Sequence, residues 1–308
     1  MAYAVEAHKL TKRYKNFLAV DNIDIAIPEG CCCGFLGKNG AGKTTTIKML
    51  VGIKRPTSGS ISIMGKVQKF GALVQIPFGY LPDVPNFYGY MNGMEFLDLC
   101  GKLCGIPTIK RKAKVNELLK QVGLDKVRTR ISGYSRGMKQ RLGIAQAMIN
   151  DPKVIFMDEP VSALDPIGRR DVVEIIESLK NTTVIFSTHI LADVENLCDF
   201  VLIIEKGKIM AQESMTSLKE KHSAKTAKVC FYRPQDAENF MSHAAKFKQF
   251  STDTRGNNLE LLLHSKTGNM EELSLLVAGI SHTNNIAIDN FAAHTPHLED
   301  IFYDVIGK

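Results

Sequence analysis

A chain of 308 residues with a formal charge of +7 is long enough for a sizeable core and exceeds the usual size of one domain, so two domains, or one with an appendage, are expected. Its 44% apolar and 23% charged residues are those of an ordinary globular protein and argue against extended disorder. No apolar run approaches the ~18–20 residues that span a bilayer, and Met1-Ala2-Tyr3-Ala4-Val5-Glu6 has neither a basic leader nor a signal-length apolar core. The expectation is a cytoplasmic chain that does not cross a membrane by itself. Seven cysteines sit mostly in apolar runs. Cys31-Cys32-Cys33 lacks metal-ligand spacing, and Cys100 and Cys104 have no nearby partner ligands, so all read as small buried hydrophobes in a reducing compartment. The densest basic stretch, Lys110-Arg111-Lys112-Ala113-Lys114 and on to Lys120, Lys126, Arg128 and Arg130, is interleaved with acidic residues and lacks aromatic stacking platforms. A solvated helical face near lipid headgroups fits it better than a nucleic-acid interface, and no nucleic-acid partner is expected.

In chain order, Tyr3–Ala7 and Ala19–Ile27 alternate apolar and polar positions, which predicts two antiparallel-type strands separated by the basic Thr11–Asn16. Tyr14, flanked by cations, is either an ordinary loop tyrosine or a ring that stacks on an adenine. Pro28-Glu29-Gly30 predicts a turn. The apolar run Cys31–Leu36 then ends at Gly37-Lys38-Asn39-Gly40-Ala41-Gly42-Lys43-Thr44-Thr45, and an amphipathic run begins. Strand, glycine-rich turn and helix start in that order are a phosphate cradle. Glycines let successive backbone N–H groups converge on phosphate oxygens, and the helix N-terminus adds roughly half a positive charge. Lys43 is placed to reach the β- and γ-phosphates, and the Thr44 hydroxyl to hold Mg²⁺. A match to this pattern should arise by chance in about one chain in a hundred of this length.

Lys54–Ser60 is a turn, Ile61–Gly65 a short strand, and Phe78–Asp83 closes an apolar stretch in a proline-bounded loop. From Gly93 to Leu142 the apolar spacing turns helical, which predicts an all-helical insertion. Its last segment, Tyr134-Ser135-Arg136-Gly137-Met138, reads as a Ser135-capped helix with Gly137 allowing close approach: a second N-terminus suited to an anion. Val154–Met157 form a buried strand that delivers Asp158 and Glu159 at its tip. Downstream of a phosphate cradle, the first carboxylate belongs to the Mg²⁺ shell and the second polarises water for in-line attack. A polar loop, Ser162–Asp165, is stopped by Pro166; a helix over Gly168–Leu179 and a buried strand over Thr183–Ser187 follow, exiting at His189 on the ligand-binding side of a parallel sheet. His189 there is a candidate γ-phosphate contact. Residues 200–210 read as a hairpin. Beyond about Ser217, short strand-like and helical runs alternate, which predicts a small α+β appendage.

With these motifs in hand, the chain resembles over residues 1 to about 215 the nucleotide-binding subunit of an ATP-binding-cassette (ABC) transporter. Gly37–Thr45 looks like the Walker A loop, Val154–Glu159 like Walker B, Tyr134–Met138 like the signature motif and Ser162–Asp165 like the D-loop. His189 looks like the switch histidine, and Tyr14 like the adenine-stacking aromatic. The resemblance implies an α/β P-loop ATPase core with an antiparallel β subdomain (1–216), a helical insertion at about 84–147, and an accessory domain at 217–308. It implies ATP and Mg²⁺ as cofactors, with Thr44, Asp158 and Asp83 toward the metal and Lys43, Glu159 and His189 in catalysis. It further implies a homodimer or heterodimer of ATPase subunits in the ATP state, and a separate integral membrane permease that holds the chain on the inner face of the cell membrane. Two departures mark it. The signature reads Tyr-Ser-Arg-Gly-Met rather than Leu-Ser-Gly-Gly-Gln, similar to ABC-2 type exporters. Asp83 stands where the family places a glutamine; a carboxylate approaches Mg²⁺ or water but donates no amide hydrogen bond. A soluble ABC-type ATPase acting on nucleic acid or ribosomes fits less well, since the chain has one phosphate loop and no sustained heptads. A non-hydrolytic regulatory module is disfavoured by Glu159 and His189.

Overall fold

Alternation of apolar and polar side chains organises the first 28 residues into a half-buried pair of strands. The structure, a computed structural model, describes residues 2–68, 78–223, 226–247, 250–254, 259–265, 270–294 and 296–307. Strand β1 (Tyr3–Tyr14) buries Ala4, Val5, Ala7 and Leu10, and β2 (Phe17–Pro28) buries Val20, Ile23, Ile25 and Ile27. They pair antiparallel, with Val5 opposite Ile27 and Ala7 opposite Ile25. Of the basic stretch predicted to separate them, Thr11–Tyr14 belongs to β1 and only Lys15 and Asn16 form the turn. The loop ahead of residue 58 supplies its partners: Lys12 Nζ donates to the Arg55 carbonyl at 2.6 Å, the Arg13 N–H to Thr57 Oγ1 at 3.0 Å, and the Thr57 N–H to the Thr11 carbonyl at 2.8 Å. Satisfied backbone groups, not charge, decide how far the strand extends.

Strand β3 (Cys32–Leu36) and helix α1 (Lys43–Leu50) flank the glycine-rich loop, and β4 (Ser58–Ile63) and β5 (Lys66–Val67) complete an antiparallel sheet of order β2-β1-β4-β5. Next come β6 (Phe78–Leu81), the insertion helices α2 (Gly93–Leu103), α3 (Thr108–Gln121) and α4 (Arg136–Met148), then β7 (Val154–Asp158), α5 (Pro166–Glu177), β8 (Thr183–Thr188), α6 (Leu191–Leu197), β9 (Phe200–Glu205) and β10 (Lys208–Ser214). The second sheet has the order β10-β9-β3-β8-β7-β6, parallel except for β10 at its edge. Every residue of β7 and β8 is buried, as expected of interior parallel strands. One apolar cluster joins the two sheets and α1, with Val5 and Ile25 from the first sheet, Phe35, Phe156 and Ile185 from the second, and Ile47 and Met49 from α1.

Helix α2 opens on a capping box, in which Asn92 Oδ1 accepts from the Glu95 N–H and Glu95 from the Asn92 N–H. In the basic stretch, Arg111 bonds Asp98 at 2.7 Å and Lys114 pairs with Asp151 at 2.6 Å, while Lys110 and Lys112 are exposed. Pro166, predicted as a stop, is the first residue of α5. Its fixed φ suits that position and its missing N–H is an orphan there in any case.

By contacts the chain divides into Met1–Ser214 and Met215–Lys308, where the sequence placed the boundary after residue 216. The second unit contains α7 (Met215–Ser223), β11 (Thr226–Phe231), α8 (Pro234–Ala244), β12 (Phe250–Thr254), β13 (Glu260–Ser265), α9 (Met270–Asn284), β14 (Ile288–Ala293) and α10 (Leu298–Ile306). Its antiparallel sheet has the order β12-β13-β11-β14, and its own core includes Val229, Phe240, Leu263 and Leu273.

Candidate functional site

The bend from β3 into α1 is shaped by glycines for which no other residue substitutes easily. Gly42 takes φ 116° and caps α1, and a Cβ on Gly37 would stand 2.5 Å from the Ile204 carbonyl. Lys43, only 5% exposed, folds back over the loop: Nζ donates to the Gly37 carbonyl at 2.6 Å and to that of Lys38 at 3.3 Å, with Glu159 Oε1 3.7 Å away. Burial lowers its pKa, partly opposed by Glu159 and Asp158.

Because β3, β8 and β7 are neighbours, their C-terminal ends deliver the other polar groups to this loop. Asp158 is 1% exposed; its Oδ1 accepts from the Thr44 hydroxyl at 2.9 Å and from the Ser187 hydroxyl at 2.7 Å. The next residue leaves the strand in the left-handed region, with Glu159 at φ 50°, a conformation costing a non-glycine residue roughly 1–2 kcal/mol. That turn swings its carboxylate between Lys43 and His189, whose Nδ1 lies 3.0 Å from Glu159 Oε2. Ala163, in the loop after Glu159, is also left-handed, at φ 52°.

Several of these groups, Lys43, Thr44, Glu159 and His189 among them, border a cleft of ≈ 410 Å³. Lys38, Asn39, Gly40, Gly42, Lys43, Thr44 and Thr45 of the phosphate loop line it together with Asp83, Glu159, Ser162 and His189, and with Phe17 and Ala19 of the strand pair. Gly37 and Ala41 are structural supports of the loop, Ala41 being 4% exposed. Tyr14 does not line the cleft. Its ring lies between two lysines, Lys12 Nζ 5.2 Å and Lys54 Nζ 5.0 Å from the centroid, and the aromatic ring that reaches the cleft is its cross-strand neighbour Phe17, 62% exposed. Ser135 and Gly137 lie away from it at the start of α4, where the Ser135 hydroxyl accepts from the Met138 N–H at 3.2 Å.

Besides Phe17 and Ala19, two residues at the site were not singled out from the sequence. Ser187 looked like one more member of a buried strand, and only its place immediately before Thr188-His189 hinted otherwise. Tyr80 is the other: burial, with Asp158 and Asp83 nearby, pushes its phenol up to about 12, so it keeps its proton at neutral pH.

A glycine-rich β3–α1 bend with its lysine, and an adjacent strand tip bearing Asp158 and Glu159, define a P-loop nucleotide-hydrolase core. Known proteins narrow the class. The family described as "ABC transporter" matches residues 20–162. An uncharacterised ABC transporter ATP-binding protein of Bacillus subtilis is 45% identical over 213 residues, 68% of this chain and 71% of that protein. The bacitracin transport ATP-binding protein of Bacillus licheniformis is 40% identical over 229 residues, 72% and 73% of the two chains. Among solved structures, the ATP-binding subunit of an ABC transporter superposes with a TM-score of 0.64 at 28% identity, covering 70% of this chain and 92% of that one. The chain belongs to the ATP-binding proteins of ABC transporters and is an ATPase of that family.

Proposed function

We propose that this chain powers an integral membrane permease, carried on a separate polypeptide, through ATP-dependent head-to-tail dimerisation, and that the transporter is an exporter of the ABC-2 type. The observation that carries it is a mismatch within one copy: the Ser135-capped N-terminus of α4, with no acidic residue in its first turn, is an anion site, yet it does not line the cleft that the phosphate loop floors. A second copy, packed with its α4 over this cleft, completes the site. ATP then binds the closed pair better than the open one, and hydrolysis removes the difference. Export is supported by the Tyr134–Met138 signature and by the relative named for bacitracin transport. The exposed Val84, Tyr88 and Tyr90, between Asp83 and α2, are the proposed docking face for the permease. The chain then works at the inner face of the cell membrane.

In the reaction Lys43 exchanges its carbonyl partners for the β- and γ-phosphates, which releases Glu159 to take a proton from the attacking water. His189 orients Glu159 through the Oε2 contact and reaches toward the γ-phosphate, and Phe17 forms the wall for the base. The donors beside the phosphate loop fit Mg²⁺: Thr44 and Asp158 meet at 2.9 Å and Asp83 shares the cleft, an all-oxygen set with room for phosphate oxygens and water. When bound, Mg²⁺ neutralises charge that develops on the phosphates. Glu159→Gln is expected to keep ATP binding, to lose turnover by at least a hundredfold, roughly the scale of a lost general base, and to accumulate an ATP-bound dimer by light scattering. Turnover at the wild-type rate would reject Glu159 as the base.

A further inference from the structure

Parallel pairing sets the tip of β7 against that of β8, with Asp158 opposite Ser187. Ser187 is 0% exposed and follows the apolar Val184, Ile185 and Phe186 in its strand. A hydroxyl in such surroundings persists when its bonds are made, and both bonds of this one go to the reaction centre. It donates to Asp158 Oδ1 at 2.7 Å and accepts from the backbone N–H of Glu159 at 3.0 Å. One side chain thereby joins the carboxylate on the metal side of the cleft to the peptide that carries the water-directing carboxylate. Glu159 needs such a tether because its φ of 50° lies outside the ordinary strand region, and a small rotation of that peptide would move the carboxylate away from Lys43 and His189.

We propose that Ser187 is a positioning residue for hydrolysis: it locks the Glu159 peptide in its turn and fixes the Asp158 carboxylate, without touching the nucleotide. The inference rests on the roles given above to Glu159 and Asp158. The competing explanation is a buried serine that only stabilises the strand.

The two explanations separate in Ser187→Ala, whose fold retains other supports. Asp158 Oδ1 still accepts from Thr44 at 2.9 Å, and the Glu159 N–H also reaches the Ser187 main-chain carbonyl at 3.2 Å. In the full chain, Ser187→Ala is expected to lower kcat by about 10- to 100-fold, the scale of a small misplacement of a reacting group, with KM for ATP changed less than about threefold. Introduced into Glu159→Gln, where turnover is absent, it is expected to raise the Mg²⁺ concentration needed for half-maximal binding of a fluorescent ATP analogue about tenfold, the size of effect typical of removing a group that orients a metal ligand. Ser187→Thr, which retains the hydroxyl, should return both readouts toward wild type. A Ser187→Ala protein with wild-type kcat and unshifted Mg²⁺ dependence would overturn the proposal while leaving Glu159 in place, as would losses that merely track a lowered melting temperature. If Glu159→Gln itself hydrolyses ATP normally, the assignment of the base has failed instead.

Discussion

Lys43 shows how much of a residue's behaviour its surroundings decide. Burial lowers its pKa below the ordinary lysine value of 10.5, so the nucleotide-free protein releases this proton more readily than the unfolded chain does. Between the lowered pKa and 10.5 the unfolded state therefore binds more protons, and stability without nucleotide rises with pH across that window. A bound triphosphate reverses the shift by supplying negative charge. Within that same window ATP binding is expected to take up a proton and to weaken as pH rises. Titration calorimetry in buffers of different ionisation enthalpy would show this, and an uptake that survives in Lys43→Arg would assign it to another group. The identities of Lys43, Thr44, Asp158 and Glu159 were legible because each sits at a fixed offset inside a short motif. Phe17 was not, because which ring of a hairpin reaches the cleft depends on how the strand pair seats over the loop, and Lys12 and Lys54 hold Tyr14 beside it.

Among the elements, two glycines set how closely helices approach the parallel sheet. A Cβ on Gly34 of β3 would stand 2.4 Å from Val194 Cγ1 of α6, whereas one on Gly79 of β6 would stand 2.3 Å from the backbone carbonyl oxygen of Ala147 in α4. A valine side chain repacks; a helix backbone does not. Gly34→Ala is expected to cost about 1–3 kcal/mol in urea unfolding, the usual range for overpacking, and Gly79→Ala to cost more, because α4 as a whole must move off the sheet. Equal losses would show that α4 yields as easily as a side chain. At the other end of α4, Ser135→Ala should cost about 1 kcal/mol of stability for the lost cap and reduce turnover, with ATP affinity of the isolated monomer unchanged. Helical periodicity revealed the insertion and the Ser135 cap, but Pro166 was misread as a terminator. The same ring that ends one helix begins another, and only the bond closing the following turn, from the Arg169 N–H to the Asp165 carbonyl at 2.9 Å, reveals which it does.

For the molecule as a whole, every residue bordering the cleft lies in Met1–Ser214, and the apolar cluster under the two sheets draws on that unit alone. A fragment ending at Ser214 is therefore expected to fold and to bind a fluorescent ATP analogue within about threefold of the full chain, less than one RT ln 10 step in affinity. A tenfold loss would show that residues 215–308 support the nucleotide site. What the amino-acid sequence determined by itself was the chemistry of contiguous stretches: a glycine bend that must expose N–H groups, a strand that must end in two carboxylates, a serine that must cap a helix. Each follows from covalent neighbours and local dihedral freedom. The tertiary structure alone decided which of these meet. Thr44 and Asp158 are 114 positions apart and Ser187 is 29 positions beyond Asp158; neither strand encodes its register with the other. That register is settled by burying the apolar faces of β3, β7 and β8 together, and the hydroxyl of Ser187 acquires its two partners as a consequence.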